Sequence, residues 1–170
     1  METLSSRRRG FTLVELLVVI VIISILAGLL LPIITGALHT ARVANCAHHL
    51  KQLYATGHLY ATSHKGMWPA TRGEELWVSF QNGRPPALEE KHAEICLCPV
   101  KQDPDRRGET DFRGPLLSQA KYRAVDPIGA DKEGNHGEGK GINVLLNDGS
   151  VHEMNPEEAV WQDCLTKLSP

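Results

Sequence analysis

The chain is poor in aromatic residues and lacks the short motifs that mark common enzyme sites. Phe, Trp and Tyr make up 5% of its 170 residues, so few rings are available to stack on nucleic-acid bases. The sequence has no G-x-S-x-G, no H-E-x-x-H and no phosphate-binding glycine loop. Its formal net charge is −2, which gives no general attraction for a phosphate backbone. We therefore expect neither an enzyme nor a nucleic-acid-binding protein.

The dominant feature is an apolar run from Phe11 to Leu31, interrupted by the single charge of Glu15. As a helix the run is roughly 31 Å long, enough to cross a bilayer core of about 30 Å. A cleaved secretory signal would be shorter and would end at a small-residue cleavage site. Three arginines at positions 7–9 precede the run, and such charges keep their end of a span in the cytoplasm. The sequence thus predicts a single-pass protein whose C-terminal part is exported.

Glu15 is unusual because placing an isolated carboxylate inside a membrane span costs roughly a few kcal/mol or more. The carboxylate either lies near the interface or has a positive partner at the same depth. Cleavage after Gly10 would create such a partner, since the new amino group of Phe11 in a neighbouring subunit carries a positive charge.

The start of the chain resembles the class III signal of type IV pilins and type II secretion pseudopilins. That signal consists of basic residues, a long apolar tail and, between them, Gly10, Phe11, Thr12, Leu13 and Glu15. The resemblance implies cleavage between Gly10 and Phe11 by a prepilin peptidase, and N-methylation of Phe11. It also implies that Glu15 faces the Phe11 amine of an adjacent subunit and that Pro32 kinks the helix. The implied partners are the prepilin peptidase/N-methyltransferase, other pilin or pseudopilin subunits and inner-membrane lipid.

These features divide the chain into four parts. Residues 1–10 are a leader peptide, 11–32 a transmembrane helix, 33–63 an amphipathic continuation of that helix, and 64–170 an exported globular domain. The continuation is predicted because six positions share one helical face: Cys46, Leu50, Leu53, Tyr54, Gly57 and Ala61. Thr56 points elsewhere in this pattern. The predicted fold class is α+β, with a long N-terminal helix packed on a small antiparallel β-sheet domain, as in pilins.

The exported part has its clearest pattern near the C-terminus. Ile142–Leu146 and Ser150–Met154 read as strands, joined by Asp148-Gly149, a pair typical of a type I′ hairpin turn. Asn155 and Pro156 read as the start of a closing helix that runs to about residue 168. The middle is less regular: strand candidates at Lys121–Val125 and Ala93–Leu97, a short helix or strand at Glu74–Phe80, and a loop at Asp126–Lys140.

A second resemblance involves the segment that starts at Cys46, the Cys98-Pro99 pair, and His136 with the GINVLLNDGSV segment. Together they are similar to pseudopilin-like proteins abundant in planctomycetes, whose C-terminal signature is H-X9-DG. Here eleven residues separate His136 from Asp148, where that pattern has nine. The resemblance therefore supports the fold and assigns no role to His136.

The four cysteines are Cys46, Cys96, Cys98 and Cys164. An exported domain lies in an oxidising compartment, where an even number of cysteines permits two disulfides. A bridge between Cys96 and Cys98 would close a strained small ring, so we favour pairing Cys46 and Cys164 each with one of those two. Zinc binding by Cys96 and Cys98 with Cys46 or Cys164 is the alternative, although C-x-C is not the C-x₂-C knuckle.

Other metal ligands are sparse in the sequence. Asp131, Glu133 and Asn135 place oxygen ligands at alternate positions of a glycine-rich loop, a spacing that permits calcium. The loop lacks the remaining ligands of a known calcium motif, so a solvated charged loop is the default interpretation. Four histidines come after Cys46 on or next to the predicted helix: His48, His49, His58 and His64. They point in different directions around the helix axis, so they do not form a metal site on one face. We expect no cofactor.

Two functions fit these observations. The first is a pseudopilin-like structural subunit of the inner membrane, with a periplasmic domain, that assembles into a type II secretion pseudopilus or a type IV pilus-like filament. The alternative is a membrane-anchored, exported ligand-binding protein that does not polymerise.

Overall fold

The computed structural model describes residues 11–82, 87–101, 106, 108–155 and 157–169. The predicted leader 1–10, with Gly10, lies outside the described residues, and so does Pro156. The chain forms two compact units, Met1–His39 and Thr40–Pro170. The predicted domain boundaries at residues 10, 32 and 63 stay predictions.

The first element, helix α1, is Leu13–Ser63 and has 51 residues. Its first turn is closed by a capping box, in which Thr12 Oγ1 accepts the Glu15 N–H at 3.2 Å. In return Glu15 Oε2 accepts the Thr12 N–H at 2.8 Å. Pro32 lies inside the helix and cannot donate to the carbonyl four residues earlier. The predicted long helix is confirmed, while the kink at Pro32 stays a prediction.

In the first unit, the apolar side chains of α1 have no protein around them. Every large apolar side chain from Phe11 to Leu38 is exposed. The helix is long and apolar enough to cross a membrane. Because exposing apolar surface to water costs about 25 cal/mol per Å², this surface requires lipid or other helices to cover it.

In the second unit, the same helix buries one face. Its buried residues are Cys46, Leu50, Leu53, Thr56, Gly57 and Ala61. The predicted face is thus confirmed, except that Tyr54 is only half-buried and Thr56 was wrongly placed outside it. Thr56 tolerates burial because its hydroxyl donates to the Gln52 carbonyl at 2.8 Å, which satisfies the polar group within the helix.

The sheet has four antiparallel strands in the order β1-β2-β3-β4. They are β1 (Phe112–Arg113), β2 (Pro127–Asp131), β3 (Ile142–Leu146) and β4 (Val151–Met154). Two shorter helices accompany them, α2 (Glu74–Asn82) and α3 (Ala159–Thr166). The predicted α+β class with an antiparallel sheet is confirmed.

Two predicted strands were wrong. Ala93–Leu97 falls mostly in a 3₁₀ helix, Glu90–Cys96. Lys121–Val125 begins at the last residue of a second 3₁₀ turn, Gln119–Lys121, and the strand begins only at Pro127, inside the predicted loop. The second to sixth residues of that predicted loop form β2, and all five are buried. Gly129 fits there because a Cβ at this position would lie 2.9 Å from Trp77 and 3.4 Å from Leu145.

The predicted hairpin between β3 and β4 is confirmed, but the predicted turn type is wrong. Gly149 has φ +86°, whereas Asp148 has no positive φ. The Gly149 N–H donates to the Leu146 carbonyl, and the Leu146 N–H donates to the Ser150 carbonyl. This is a three-residue loop with a type I turn and a glycine in the left-handed region, not a type I′ turn.

Both faces of the sheet are covered. Leu145 faces a cluster that includes Leu50, Trp77 and Phe80 from helices α1 and α2. Ile142 and Val144 face a second cluster with Cys164 and Leu168. Burial on both sides explains why β3 reads as a nearly continuous apolar run.

Candidate functional site

The first site is the start of α1, where the predicted processing residues lie. Phe11 is 73% exposed and directly follows the predicted cleavage position. Glu15 Oε2 accepts from the backbone N–H and from the hydroxyl of Thr12, each at 2.8 Å. A carboxylate has two oxygens and about four lone-pair positions, so these bonds leave it capacity to accept from an amine.

The second site is a buried group of four side chains in the unit 40–170. It comprises Cys46 on α1, Cys98 just beyond the first 3₁₀ helix, Asp131 at the end of β2, and His136 in the following turn. All four residues are buried, and their ligand atoms lie within 4.8 Å of one another. We call this group the buried cluster.

Short contacts connect the members of the buried cluster. Cys46 Sγ lies 2.8 Å from Cys98 Sγ and 3.0 Å from Asp131 Oδ1. His136 Nε2 lies 3.1 Å from Asp131 Oδ2. One thiol proton cannot serve both the Cys98 sulfur and the Asp131 carboxylate, so the cluster holds more acceptors than Cys46 can satisfy.

Backbone groups fix the orientation of the imidazole and the carboxylate. His136 Nδ1 lies 3.1 Å from the Gly141 carbonyl oxygen, which can only accept, so Nδ1 carries the proton in this contact. Asp131 Oδ2 accepts the Asn143 N–H at 2.8 Å. Asn143 also donates its side-chain amide to the Val43 carbonyl at 3.2 Å, and thereby connects β3 to α1 next to Cys46.

The electrostatics favour a deprotonated sulfur at Cys98. The hydrogen bond from Cys46, together with His136, outweighs the effect of burial and lowers the pKa of Cys98 to about 5. The pKa of Cys46 is raised, because Cys46 is the proton donor to Cys98 and is itself buried. Burial raises the pKa of Asp131 to about 6. Burial opposes the positive form of His136, but Cys98 and Asp131 outweigh it and raise the pKa of the imidazole.

These four groups offer two sulfur atoms, one imidazole nitrogen and carboxylate oxygen to a common centre. Such a donor set suits a transition-metal ion, since thiolates and imidazoles are ligands of zinc and related metals. A nucleophilic role for Cys98 has no support from access, because its side chain is buried.

The predicted disulfides are not present. All four cysteines are described and are free thiols. Only Cys46 and Cys98 meet, which is one of the pairs that the sequence left open. Cys96 instead packs beside Trp77, with its sulfur 3.7 Å from the Trp77 carbonyl. Cys164 lies in the other hydrophobic cluster, 3.7 Å from Met154 Sδ, so it cannot reach Cys96 or Cys98 there.

The candidate calcium residues are also separated in the structure. Asp131 turns into the buried cluster, whereas Glu133 is exposed and 3.9 Å from an Arg113 nitrogen. Asn135 is buried and donates to the Asp111 carbonyl at 2.8 Å. The alternating oxygens predicted for calcium therefore do not converge, because the chain turns after Asp131 at the end of β2.

The buried cluster was not predicted from the sequence. Cys46 and Cys98 were paired there without Asp131 and His136, and His136 had no assigned role. The four positions are separated by 52, 33 and 5 residues, so no local spacing pattern links all of them. The sequence feature that could have indicated the cluster is the pair Asp131 and His136, which lie five positions apart shortly before an apolar strand.

Comparison with known proteins identifies only the start of the chain. A family model, the prokaryotic N-terminal methylation motif, matches residues 5–31. No curated protein matches the chain, and no solved structure does. The matched segment contains the basic residues, Gly10, Phe11, Glu15 and the whole apolar run to Leu31. The chain therefore carries a prepilin-type N-terminal methylation signal at residues 5–31.

Proposed function

We propose that the chain is a pseudopilin-like structural subunit of a type II secretion pseudopilus or a type IV pilus-like filament. A prepilin peptidase cleaves it between Gly10 and Phe11 and methylates Phe11. The observation that carries the proposal is that the methylation motif at residues 5–31 coincides with an apolar helix whose side chains are exposed. The subunit acts mechanically, and we assign it no enzymatic role.

The exposed apolar surface of α1 suits two different surroundings, one before and one after assembly. Apolar side chains surround the helix on all sides, which suits lipid before assembly and neighbouring helices after it. The arginines at 7–9 favour a cytoplasmic N-terminus in the inner membrane, with the domain in the periplasm. Helices packed through such a surface have no intrinsic axial register, because similar apolar side chains recur along its length.

Glu15 supplies the missing register in this proposal. Its carboxylate keeps acceptor capacity beyond the two bonds from Thr12. A charged group in an apolar environment is stabilised most by an opposite charge, and cleavage creates one at the amino group of Phe11. Pairing Glu15 with Phe11 of the next subunit fixes one axial offset between neighbouring helices.

The processing step is tested by producing the full chain in a bacterium with a prepilin peptidase and measuring the intact mass and N-terminal residue of the membrane protein. We expect a start at N-methyl-Phe11. Gly10→Leu should remain uncleaved, whereas Gly28→Leu should be processed normally, because no described atom lies within 4 Å of a Cβ there. A start at Met1, in cells that process a control pilin, would refute the proposal and favour the anchored ligand-binding protein.

The assembly step is tested with Glu15→Val, measured by chemical crosslinking of subunits in membranes. Insertion and cleavage should persist while the crosslinked ladder is lost. Thr12→Val is the matched control, since it removes the hydroxyl half of the capping box and leaves the carboxylate. If both variants lose the ladder equally, Glu15 acts by capping the helix and not by pairing between subunits.

A further inference from the structure

We infer that Cys46, Cys98, Asp131 and His136 form a binding site for a divalent transition-metal ion, with zinc as the best match. The ion joins helix α1 to the end of strand β2 and the turn after it, so its role is structural. All four residues lie in the unit 40–170, so the proposed site does not depend on processing or assembly at the N-terminus.

The first support is the convergence of four donors of suitable type. Structural zinc sites are four-coordinate and use thiolate, imidazole and carboxylate ligands. The ligand atoms of the buried cluster all lie within 4.8 Å of one another, and each comes from a residue that is buried. Two sulfurs bound at about 2.3 Å from one tetrahedral ion are about 3.7 Å apart. The sulfurs of Cys46 and Cys98, now at 2.8 Å, therefore separate by roughly 1 Å on binding.

The second support is the set of bonds that orient the ligands. A metal-bound histidine commonly donates its other ring N–H to a carbonyl or carboxylate, which fixes the tautomer. His136 does this with Nδ1 and the Gly141 carbonyl, and so presents Nε2 to the cluster. Asp131 is held by the Asn143 N–H, and the Cys98 N–H donates to Asp111 at 2.9 Å. Three of the four ligands are thus fixed by groups outside the cluster.

The third support is the cost of burying these groups for any other purpose. A disulfide between Cys46 and Cys98 would use only the two sulfurs, and the buried Asp131 and His136 would remain beside it, paired with each other at 3.1 Å. Burying a charged group costs free energy unless it is paired or binds a metal. An ion at the centre uses all four side chains at once, and its positive charge compensates the thiolates and the Asp131 carboxylate.

The identity of the ion follows from ligand softness and geometry. Two thiolates and one imidazole disfavour calcium and magnesium, which take oxygen ligands. A closed four-ligand site of sulfur and nitrogen donors is typical of zinc, which needs no redox chemistry to be retained. Four protein ligands leave no open position for a substrate, which is why we assign a structural role and not a catalytic one.

The experiment uses the full chain, extracted in detergent and dialysed against metal-free buffer, with metal content measured by mass spectrometry of the elements. We expect about one zinc per chain, as a single structural site requires. A parallel sample is unfolded without reductant and treated with an alkylating reagent. All four cysteines should then be modified, because a metal-bound thiolate is released on unfolding while a disulfide stays blocked.

Two cysteine variants make the matched pair. Cys98→Ser should lose the zinc, whereas Cys96→Ser should keep it, although both residues are buried and only two positions apart. His136→Ala should also lose it. Cobalt added to the metal-free wild type should give the visible absorption of a tetrahedral thiolate complex, and none with Cys98→Ser. The spectrum of the wild type alone reports thiolate ligation, so this part of the test does not depend on the stability of a variant.

Each of three results would overturn the inference. The first is a wild-type chain without zinc whose Cys46 and Cys98 resist alkylation, which shows a disulfide. The second is a wild-type chain with free thiols that takes up neither zinc nor cobalt. The third is zinc retained equally by Cys98→Ser and Cys96→Ser, which places the ion elsewhere.

Discussion

Replacing Leu50 with alanine should strongly destabilise the unit 40–170. Leu50 is 0% exposed and belongs to the hydrophobic cluster that α1 shares with α2 and the sheet. The substitution removes three carbon atoms, worth about 2.4 kcal/mol at about 0.8 kcal/mol per buried group. The cavity that remains adds to this loss, so we expect a decrease of about 3–4 kcal/mol in the free energy of unfolding.

The matched control is Leu59→Ala on the same helix. Leu59 is 67% exposed, and such a surface change should alter the free energy of unfolding by less than about 0.5 kcal/mol. Both variants are made in the full chain and unfolded with urea in detergent, with Trp fluorescence as the readout. Trp77 is fully buried in the same cluster as Leu50, so its fluorescence reports directly on the unfolding of that cluster.

The expected shift is large enough to measure without ambiguity. With a urea dependence of about 2 kcal/mol per M, the midpoint of Leu50→Ala should fall by roughly 1.5–2 M. The midpoint of Leu59→Ala should stay within about 0.3 M of the wild type. Equal shifts for the two variants would show that this face of α1 is not part of the domain core, and would refute the packing described above.

Two further substitutions test the turn and the charge network. Gly149→Ala should lower the urea midpoint more than Gly139→Ala, because both glycines have positive φ but only at 149 would a Cβ lie 2.6 Å from Tyr54; equal shifts would exclude that clash. The pKa of Asp126 is held below its usual range by hydrogen bonds from Arg123 and by Lys167. Its contribution to stability is therefore present above about pH 4 and lost as the pH falls toward the lowered pKa. Asp126→Asn should be less stable than the wild type at pH 7, and the difference in midpoint should shrink at pH 3; a constant difference would contradict the charge effect.

The helical part of the fold was predictable because its signals are local. An uninterrupted apolar run and a repeating buried face in α1 both follow from side chains three or four positions apart. Ile142–Leu146 was found for the same reason, as a short apolar run next to a turn. The burial of Thr56 was not predicted, because a pattern of polar and apolar residues does not show that its hydroxyl can donate to the Gln52 carbonyl within the helix.

Strand β2 could not be predicted in this way. Its residues Gly129 and Ala130 have low intrinsic preference for strands. They are buried because β3 pairs with both, Trp77 approaches Gly129, and Ala130 packs in the cluster with Cys164 and Leu168. The position of β2 is therefore set by tertiary contacts. Asp131 is the last residue of this strand. Because the segment was predicted to be a loop, the burial of Asp131 was not predicted either.

The predicted turn and disulfides failed for related reasons. Asp148-Gly149 permits more than one hairpin turn, and the Leu146 and Ser150 backbone bonds select the three-residue form. The number of cysteines gives an upper limit on disulfides but no information about which sulfurs meet. Cys164 is fixed by α3 in one cluster, while Cys96 is fixed beside α2 in the other.

The distance along the chain between the members of the buried cluster has a consequence for biogenesis. If the chain is exported with a cytoplasmic N-terminus, as proposed above, Cys46 leaves the membrane before the other members of the cluster, and Asp131 and His136 follow 85 and 90 residues later. Until β2 and β3 have crossed and paired, the thiol of Cys46 stands in an oxidising compartment without the carboxylate that later contacts it. The interval between translocation of Cys46 and closure of the sheet would thus be the period in which this sulfur is open to wrong pairing, and slow export should increase mispaired disulfides at Cys46.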